Sequence, residues 1–283
     1  MNYCIVIPMH KEKLDCTEIL SLKRLHKVIY EDECPTGSED YRYWKETPVF
    51  LVIPKGLNIN EYKKIYPTIK VKEFDKKWFE SVETSSRLMF EYDFYKQFSK
   101  YEYMLIYQLD GYIFKNDIQS WCDKGYDYIG SPIFSENSGW KDQNDAVWVP
   151  KVGNGGVSLR KIKFFMDLNN PNGEFRTYYK DKYNDKFFES IKFEDLEYYK
   201  IFRYYYDANI PSWFEAGLFS LDMNPNVFES IIQDPKDHIS FCHAWPKNIR
   251  YWKDKIPEIN QEIIDFCENK YKEFFKLYYG EQK

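Results

Sequence analysis

The chain has 283 residues, 43% hydrophobic and 30% charged, with a net charge of −5. That size suits one large α/β domain or two small ones, and the apolar share is enough for a core beneath a soluble surface. With 45 acidic against 40 basic residues, the chain lacks the basic excess that a nucleic-acid partner would call for.

Cys4, Cys16, Cys34, Cys122, Cys242 and Cys267 include no C-x-x-C pair, which suits free thiols in a reducing compartment rather than a disulfide framework or zinc site. The first twenty residues carry His10, Lys11, Glu12, Lys13, Asp15 and Glu18, so no signal-peptide core is expected there. No apolar run approaches the ~20 residues that span a bilayer. A cytoplasmic location is the expectation. Aromatic residues make up 20% of the chain, which invites a sugar-stacking role. However, Tyr, Phe, Lys, Ile and Asn are enriched together, as AT-rich coding sequence produces without a functional cause.

Tyr3–Pro8 is a short β-branched run closed by proline, a first strand. A helical pattern follows through Ile19, Leu20, Leu22, Leu25 and Val28. Glu31 to Glu46 is polar and reads as a surface loop. Val49–Pro54 repeats the design of the first strand, and Lys70–Phe74 alternates as a shorter one. Ser81 or Thr84 can cap a helix running to about Phe98, with Leu88, Tyr92 and Tyr95 on one face. Met104 to Tyr107 is a compact buried strand that ends at Gln108-Leu-Asp-Gly111. Alternating strands and helices over this half predict a mostly parallel sheet with right-handed crossovers.

Downstream, Tyr126 to Pro132 forms a strand ending in a turn, and Ser135 to Asp145 is a polar loop. Val152 to Arg160 is glycine-rich, permitting close backbone approach. Residues 167 to 190 read as a variable loop with partial helix. Phe193 to Tyr199 opens a helix with acids in its first turn, and Ile239 to Trp245 is a strand ending in an imidazole and an indole. Ile256 to Tyr279 is a charged amphipathic helix, docked on the domain or, less naturally for its charge, touching a membrane surface. No P-loop motif is present. Gly153-Asn-Gly-Gly-Val-Ser158 lacks the third glycine of a dinucleotide fingerprint and lies mid-chain, which excludes a Rossmann cofactor site. The expected organisation is one domain over residues 1–250 with a helical extension over 251–283.

Read alone, Asp110-Gly111 is a turn and His243 a packed strand-end histidine. Together, Gln108-Leu-Asp110, Tyr126 to Gly130, Gly153 to Arg160, Glu194-Asp195 and His243 form an ordered set. In order and spacing they resemble nucleotide-sugar-dependent glycosyltransferases of the GT-A class. The closer likeness is to a bacterial family of uncharacterised glycosyltransferase-like domains, over roughly residues 85 to 247. The resemblance implies a GT-A-like α/β fold whose sheet is flanked by helices. It also implies a nucleotide-sugar donor and a glycan, lipid-linked or protein acceptor.

Departure of a diphosphate needs its charge neutralised, which a divalent cation does as a Lewis acid. By resemblance, Asp110 and His243 are the ligands of that cation, Mn²⁺ or Mg²⁺. Gln108 stands where the D-x-D motif of GT-A enzymes has its first acid, and without a metal Arg87 or Lys247 would neutralise the diphosphate instead. Asn154, Gly155 and Gly156 would floor the transferred sugar. Asp195 is the candidate base and Glu194 its acid partner or acceptor ligand; a retaining enzyme would need neither as base. Pro8, His10 and Asp75 are donor contacts by topology, and Trp245, Trp213 and Trp148 are either stacking platforms for the acceptor or tryptophans filling the core. Two rival readings share these features: a catalytically silent carbohydrate-binding protein and a sugar nucleotidyltransferase.

Overall fold

A computed structural model describes residues 2–30, 47–133, 151–183, 186–204, 207–222, 225–232 and 234–279. The loops expected at Glu31 to Glu46 and at Ser135 to Asp145, together with Trp148, lie outside the described residues. The amino-terminal half runs β1 (Tyr3–Pro8), α1 (Cys16–Tyr30), β2 (Val49–Pro54), α2 (Asn60–Ile65), β3 (Lys70–Phe74), α3 (Val82–Leu88), α4 (Tyr92–Lys96), β4 (Tyr103–Tyr107), β5 (Tyr112–Ile113), α5 (Ile118–Asp123) and β6 (Tyr128–Ile133). The second half runs β7 (Lys151–Lys161), α6 (Ile162–Leu168), α7 (Glu174–Tyr183), α8 (Lys186–Ser190), α9 (Glu194–Tyr204), α10 (Trp213–Phe219), β8 (Ser220–Leu221), α11 (Pro225–Glu229), β9 (Phe241–Cys242), α12 (Ile249–Trp252), α13 (Gln261–Lys270) and α14 (Lys272–Tyr279).

Six strands form one sheet in the order β3-β2-β1-β4-β7-β6. The first four are mutually parallel, whereas β7 runs antiparallel to both β4 and β6. A strand in the middle of a parallel sheet is apolar on both faces, and β4 obeys this rule. Tyr103, Leu105 and Tyr107 join one core, while Met104 and Ile106 join the core on the other face. β1 and β2 alternate in the same way. The expected α/β architecture, a mostly parallel central sheet flanked by helices, is what the chain adopts.

A second sheet, β5-β9-β8, has only two residues per strand. It packs with Leu20 of α1 and with Ile263, Cys267 and Phe275 of the last two helices in a third core. The C-terminal segment is two helices rather than one. Asn260 caps α13 by accepting from the Ile263 amide at 3.0 Å, and the break before α14 falls at Tyr271.

The helix expected from Ser81 to Phe98 is also divided. Ser81 does cap it, in a reciprocal capping box with Thr84. After Leu88, however, the Met89 carbonyl accepts from the Tyr198 hydroxyl at 2.7 Å and the Phe90 carbonyl accepts from the Arg176 guanidinium. Those tertiary partners take the carbonyls that a continuing helix would use. Phe90 then stacks on Tyr198 with ring centroids 4.1 Å apart.

Candidate active site

Because β1 to β4 are parallel, their carboxyl ends share one edge of the sheet, where open α/β folds bind ligands. Pro8, Phe74 and Tyr107 close three of those strands. Beyond β4 the Gly111 amide donates to the Gln108 carbonyl at 2.9 Å. The Asp-Gly pair therefore is a turn, and the turn leaves the Asp110 side chain partly open, 29% exposed.

His243 reaches Asp110 from the small sheet. Its amide donates to the Leu221 carbonyl at 2.7 Å, and two residues later the Trp245 amide donates to the Asp110 carbonyl at 3.2 Å. Between them Ala244 takes a left-handed conformation, φ 48°, that turns the chain sharply. The result sets His243 Nε2 3.0 Å from Asp110 Oδ1 and 3.3 Å from Gln108 Oε1. On the other side of the ring, Nδ1 is 3.2 Å from Asp222 Oδ1.

Burial alone would lower the His243 pKa, but the flanking carboxylates of Asp110 and Asp222 override it and push it up to about 10. Burial would raise that of Asp110, but the imidazolium and Lys247 bring it down to about 2. Both carboxylate contacts are close in distance yet off-axis: Asp110 Oδ1, Asp222 Oδ1 and His243 Nδ1 have no aligned hydrogen-bond partner among the described residues.

The glycines beside this cluster serve the protein's own side chains. In the β4–β7 register Tyr107 faces Val157, and the Gln108 amide then donates to the Gly156 carbonyl at 2.9 Å. A Cβ on Gly156 would lie 2.0 Å from His243 Nε2, and one on Gly155 would lie 2.5 Å from Glu194 Oε1. The space expected for a sugar floor is thus taken by the imidazole and by a carboxylate. Asn154 likewise turns its side chain inward, accepting from the Gly156 amide at 3.0 Å and donating to Asp222.

Glu194 and Asp195 open α9 but have different surroundings. Glu194 is 8% exposed, and its two oxygens accept from Arg160 and from Ser86, each at 3.1 Å. Arg160, fully buried, also reaches Ser158 and Tyr95. Each Glu194 oxygen is thus engaged by one protein donor, with lone-pair capacity left on both. Asp195 is half-buried, accepting from the Gly155 amide at 3.1 Å and the Leu196 amide at 2.8 Å. Burial raises its pKa most, the Glu194 carboxylate adds to that, and the amides oppose it; the outcome is about 7.

The other expected site residues are scattered. Trp245 is completely buried, and its indole N–H donates to Ser21 at 3.1 Å. No ring face is free for an acceptor, so the stacking role expected for it is corrected. Trp213 is half-buried against two cores. Lys247 stands near enough to Asp110 to help hold it ionised. Arg87 donates from Nε to the Ile191 carbonyl at 3.3 Å. Pro8 ends β1 and His10 follows it at the strand-end edge. Asp75 follows β3, where it caps a single turn by accepting from the Lys77 amide at 3.1 Å.

Sequence reasoning did not single out Asp222 or Arg160. Asp222 follows a two-residue strand too short to leave a periodic signal. Arg160 lies in β7, Lys151–Lys161, where its place beside Leu159 was the one local hint of burial.

The arrangement can be tested against a divalent cation. Cis donors around an octahedral ion held at ~2.1 Å lie ~3 Å apart. The 3.0 and 3.3 Å separations of Asp110 Oδ1, His243 Nε2 and Gln108 Oε1 match that spacing, and Asp110 Oδ1 lacks an aligned partner. No group of three His, Cys, Asp or Glu side chains converges as a metal cage among the described residues. The amide oxygen of Gln108 would therefore be the third protein donor.

The six-stranded sheet with its flanking helices matches the GT-A glycosyltransferase fold. Mouse xyloside xylosyltransferase 1 superposes with a TM-score of 0.50 at 12% identity, covering 86% of this chain and 97% of its own. An active-site mutant of LgtC gives 0.50 at 10%, covering 91% and 98%. The bifunctional glycosyltransferase WbbM gives 0.50 at 11%, covering 98% of this chain and 51% of its own. At such identities the likeness concerns the fold. No curated protein matches the chain. Residues 68–237 match the family described as "Protein of unknown function (DUF5672)", and the chain belongs to that family. The matched span includes Asp110, the glycine segment, Asp195 and Asp222, and it ends before His243.

Proposed function

We propose that this protein is a glycosyltransferase that moves a sugar from a nucleotide-diphosphate donor to a glycan, lipid-linked or protein acceptor. The observation that carries the reading is the meeting of Asp110, Gln108 and His243 at the carboxyl edge of a parallel sheet, in a fold shared with glycosyltransferases. Asp110 and His243, with Gln108, would hold Mn²⁺ or Mg²⁺; bound there, the cation neutralises charge on the departing diphosphate. Imidazole among the ligands favours Mn²⁺ over Mg²⁺.

Lys247 adds a fixed positive charge close to the same carboxylate. Asp195, poised near neutrality, takes the proton of the acceptor hydroxyl in an inverting transfer. Arg160 pairs with Glu194, and Asp195 is the acid assigned the role of base. Pro8, His10 and Asp75, on the strand-end edge, contact the donor nucleotide. Residues 1–250 act as one catalytic domain, with 251–283 docked on it. No helix among the described residues is long and apolar enough to cross a membrane, in keeping with a cytoplasmic enzyme that meets any lipid-linked acceptor at the surface.

Incubation with a panel of nucleotide sugars and Mn²⁺ tests the reading. Release of nucleoside diphosphate, lost in Asp110→Ala, supports transfer. Release of pyrophosphate identifies a nucleotidyltransferase instead. Sugar binding without turnover, unaffected by Asp110→Ala, identifies a silent binding protein, the reading that Gln108 in an acidic position favours.

A further inference from the structure

The contacts around His243 form a chain whose direction is set at one end. The Gly156 amide can only donate, so the Asn154 atom it meets at 3.0 Å is the side-chain oxygen and the amide nitrogen faces outward. That nitrogen donates to Asp222 Oδ2. Asp222 is 4% exposed, and its other oxygen stands 3.2 Å from His243 Nδ1. Neither Asp222 Oδ1 nor His243 Nδ1 has an aligned hydrogen-bond partner among the described residues, and the 3.2 Å off-axis contact between them pairs each with the other. A carboxylate accepts on both oxygens, and an Nδ1–H completes the series. Nδ1 then carries a proton toward Asp222 in either charge state of the ring; in the imidazolium Nε2 carries a second one, toward Gln108 and Asp110, and that is the proton a bound cation would replace.

We infer that Asp222 is the positioning residue of this site, receiving direction from the Gly156 amide through Asn154 and fixing the His243 ring with Nδ1–H toward itself and Nε2 toward Asp110. As applied to a bound cation, the inference rests on the proposed function. Groups that orient a ligating histidine in this way typically contribute 10–100-fold to metal affinity. Asp222 fits the role because both its neighbours are donors. An asparagine there offers one acceptor and one donor group, and so satisfies only one of them. Asn154 cannot flip to compensate without losing the Gly156 amide.

The same logic supplies the test. In Asp222→Asn, Mn²⁺ affinity, measured from the free-ion electron paramagnetic resonance signal, should fall about 10–100-fold. In metal-free protein labelled with ¹⁵N-histidine, the downfield Nδ1–H resonance of His243 should disappear. Asn154→Asp alone sets two acceptors face to face and should show the same losses. Combined, Asn154→Asp and Asp222→Asn rebuild every bond with the two side chains exchanged. The new carboxylate accepts from the Gly156 amide, the nitrogen of the new carboxamide donates to that carboxylate, and the carboxamide oxygen accepts from Nδ1–H. Recovery of the resonance and of most of the affinity in the double variant supports the relay. A resonance unchanged in Asp222→Asn, or not recovered in the double variant, overturns it. If the wild type binds no Mn²⁺, the metal reading fails, and the resonance series still decides the role of Asp222.

Discussion

His243 Nε2 lies 3.0 Å from Asp110 Oδ1, joining the end of a strand in the central sheet to the end of a strand in the small three-stranded sheet. Asp110 Oδ1 has no aligned hydrogen-bond partner among the described residues. Asp110→Asn keeps the shape and removes the charge. Transfer from the nucleotide sugar should fall at least about 100-fold in kcat/KM, ~3 kcal/mol of transition-state stabilisation. Steady-state kinetics with Mn²⁺ measure this, and wild-type kcat/KM in the variant refutes the assignment.

The same pair governs stability at the pH extremes. The folded pKa of His243 is raised from 6.5 to about 10. Its contribution is complete below 6.5 and is lost as pH rises through 10. That of Asp110 is lowered from 3.8 to about 2, so its share is complete above 3.8 and is lost as pH falls toward 2. Urea unfolding of metal-free protein should therefore show an alkaline decline between pH 6.5 and 10. The decline should be absent in His243→Gln.

Asp195 has the opposite sign from Asp110, its pKa being raised from 3.8 to about 7. Its contribution to stability is present below 3.8 and is lost as pH rises through 7. As the base it must be ionised, so turnover should climb with pH across 7 and then level. Asp195→Asn should abolish turnover and remove that segment from the stability profile. A rate that stays flat from pH 5.5 to 8.5 in the wild type excludes Asp195 as base.

Gly156→Ala places a methyl 2.0 Å from His243 Nε2. The imidazole has to move, at an overpacking cost of about 1–3 kcal/mol. We expect a modest drop in Tm together with a disproportionate loss of Mn²⁺-dependent donor binding, followed by calorimetry. Wild-type binding in this variant shows that the ring position is not needed.

Arg160 is fully buried and faces Glu194 at 3.1 Å. Removing one member leaves an uncompensated buried charge, so Arg160→Met should cost about 3–5 kcal/mol. Arg160→Met combined with Glu194→Gln should lie closer to wild type than Arg160→Met alone. Denaturant unfolding of wild type, Arg160→Met, Glu194→Gln and the double variant measures the coupling, and simple additivity would mean that the pair contributes nothing.

Much of the sheet was legible because apolar runs closed by proline or Asp-Gly, at Tyr3–Pro8, Val49–Pro54 and Met104–Tyr107, specify buried strands through local pattern. The breaks in helices were not legible. The turn after Leu88 exists because Tyr198 and Arg176, distant in sequence, take its carbonyls. The aromatic residues show the same limit. Trp245 looked available as a stacking platform, yet Ser21 of α1 and the third core enclose it.

By itself the sequence determined the strand alternation, the place of Asp110 at a strand end, and the residue types around it, since these depend on neighbours a few positions apart. Only the tertiary structure decided which partners those residues meet. It gave the space above Gly156 to His243, tied Glu194 to Arg160, and brought Asp222 from a two-residue strand against the far side of the imidazole. Such pairings depend on strand register and burial across long separations, which residue order does not encode locally.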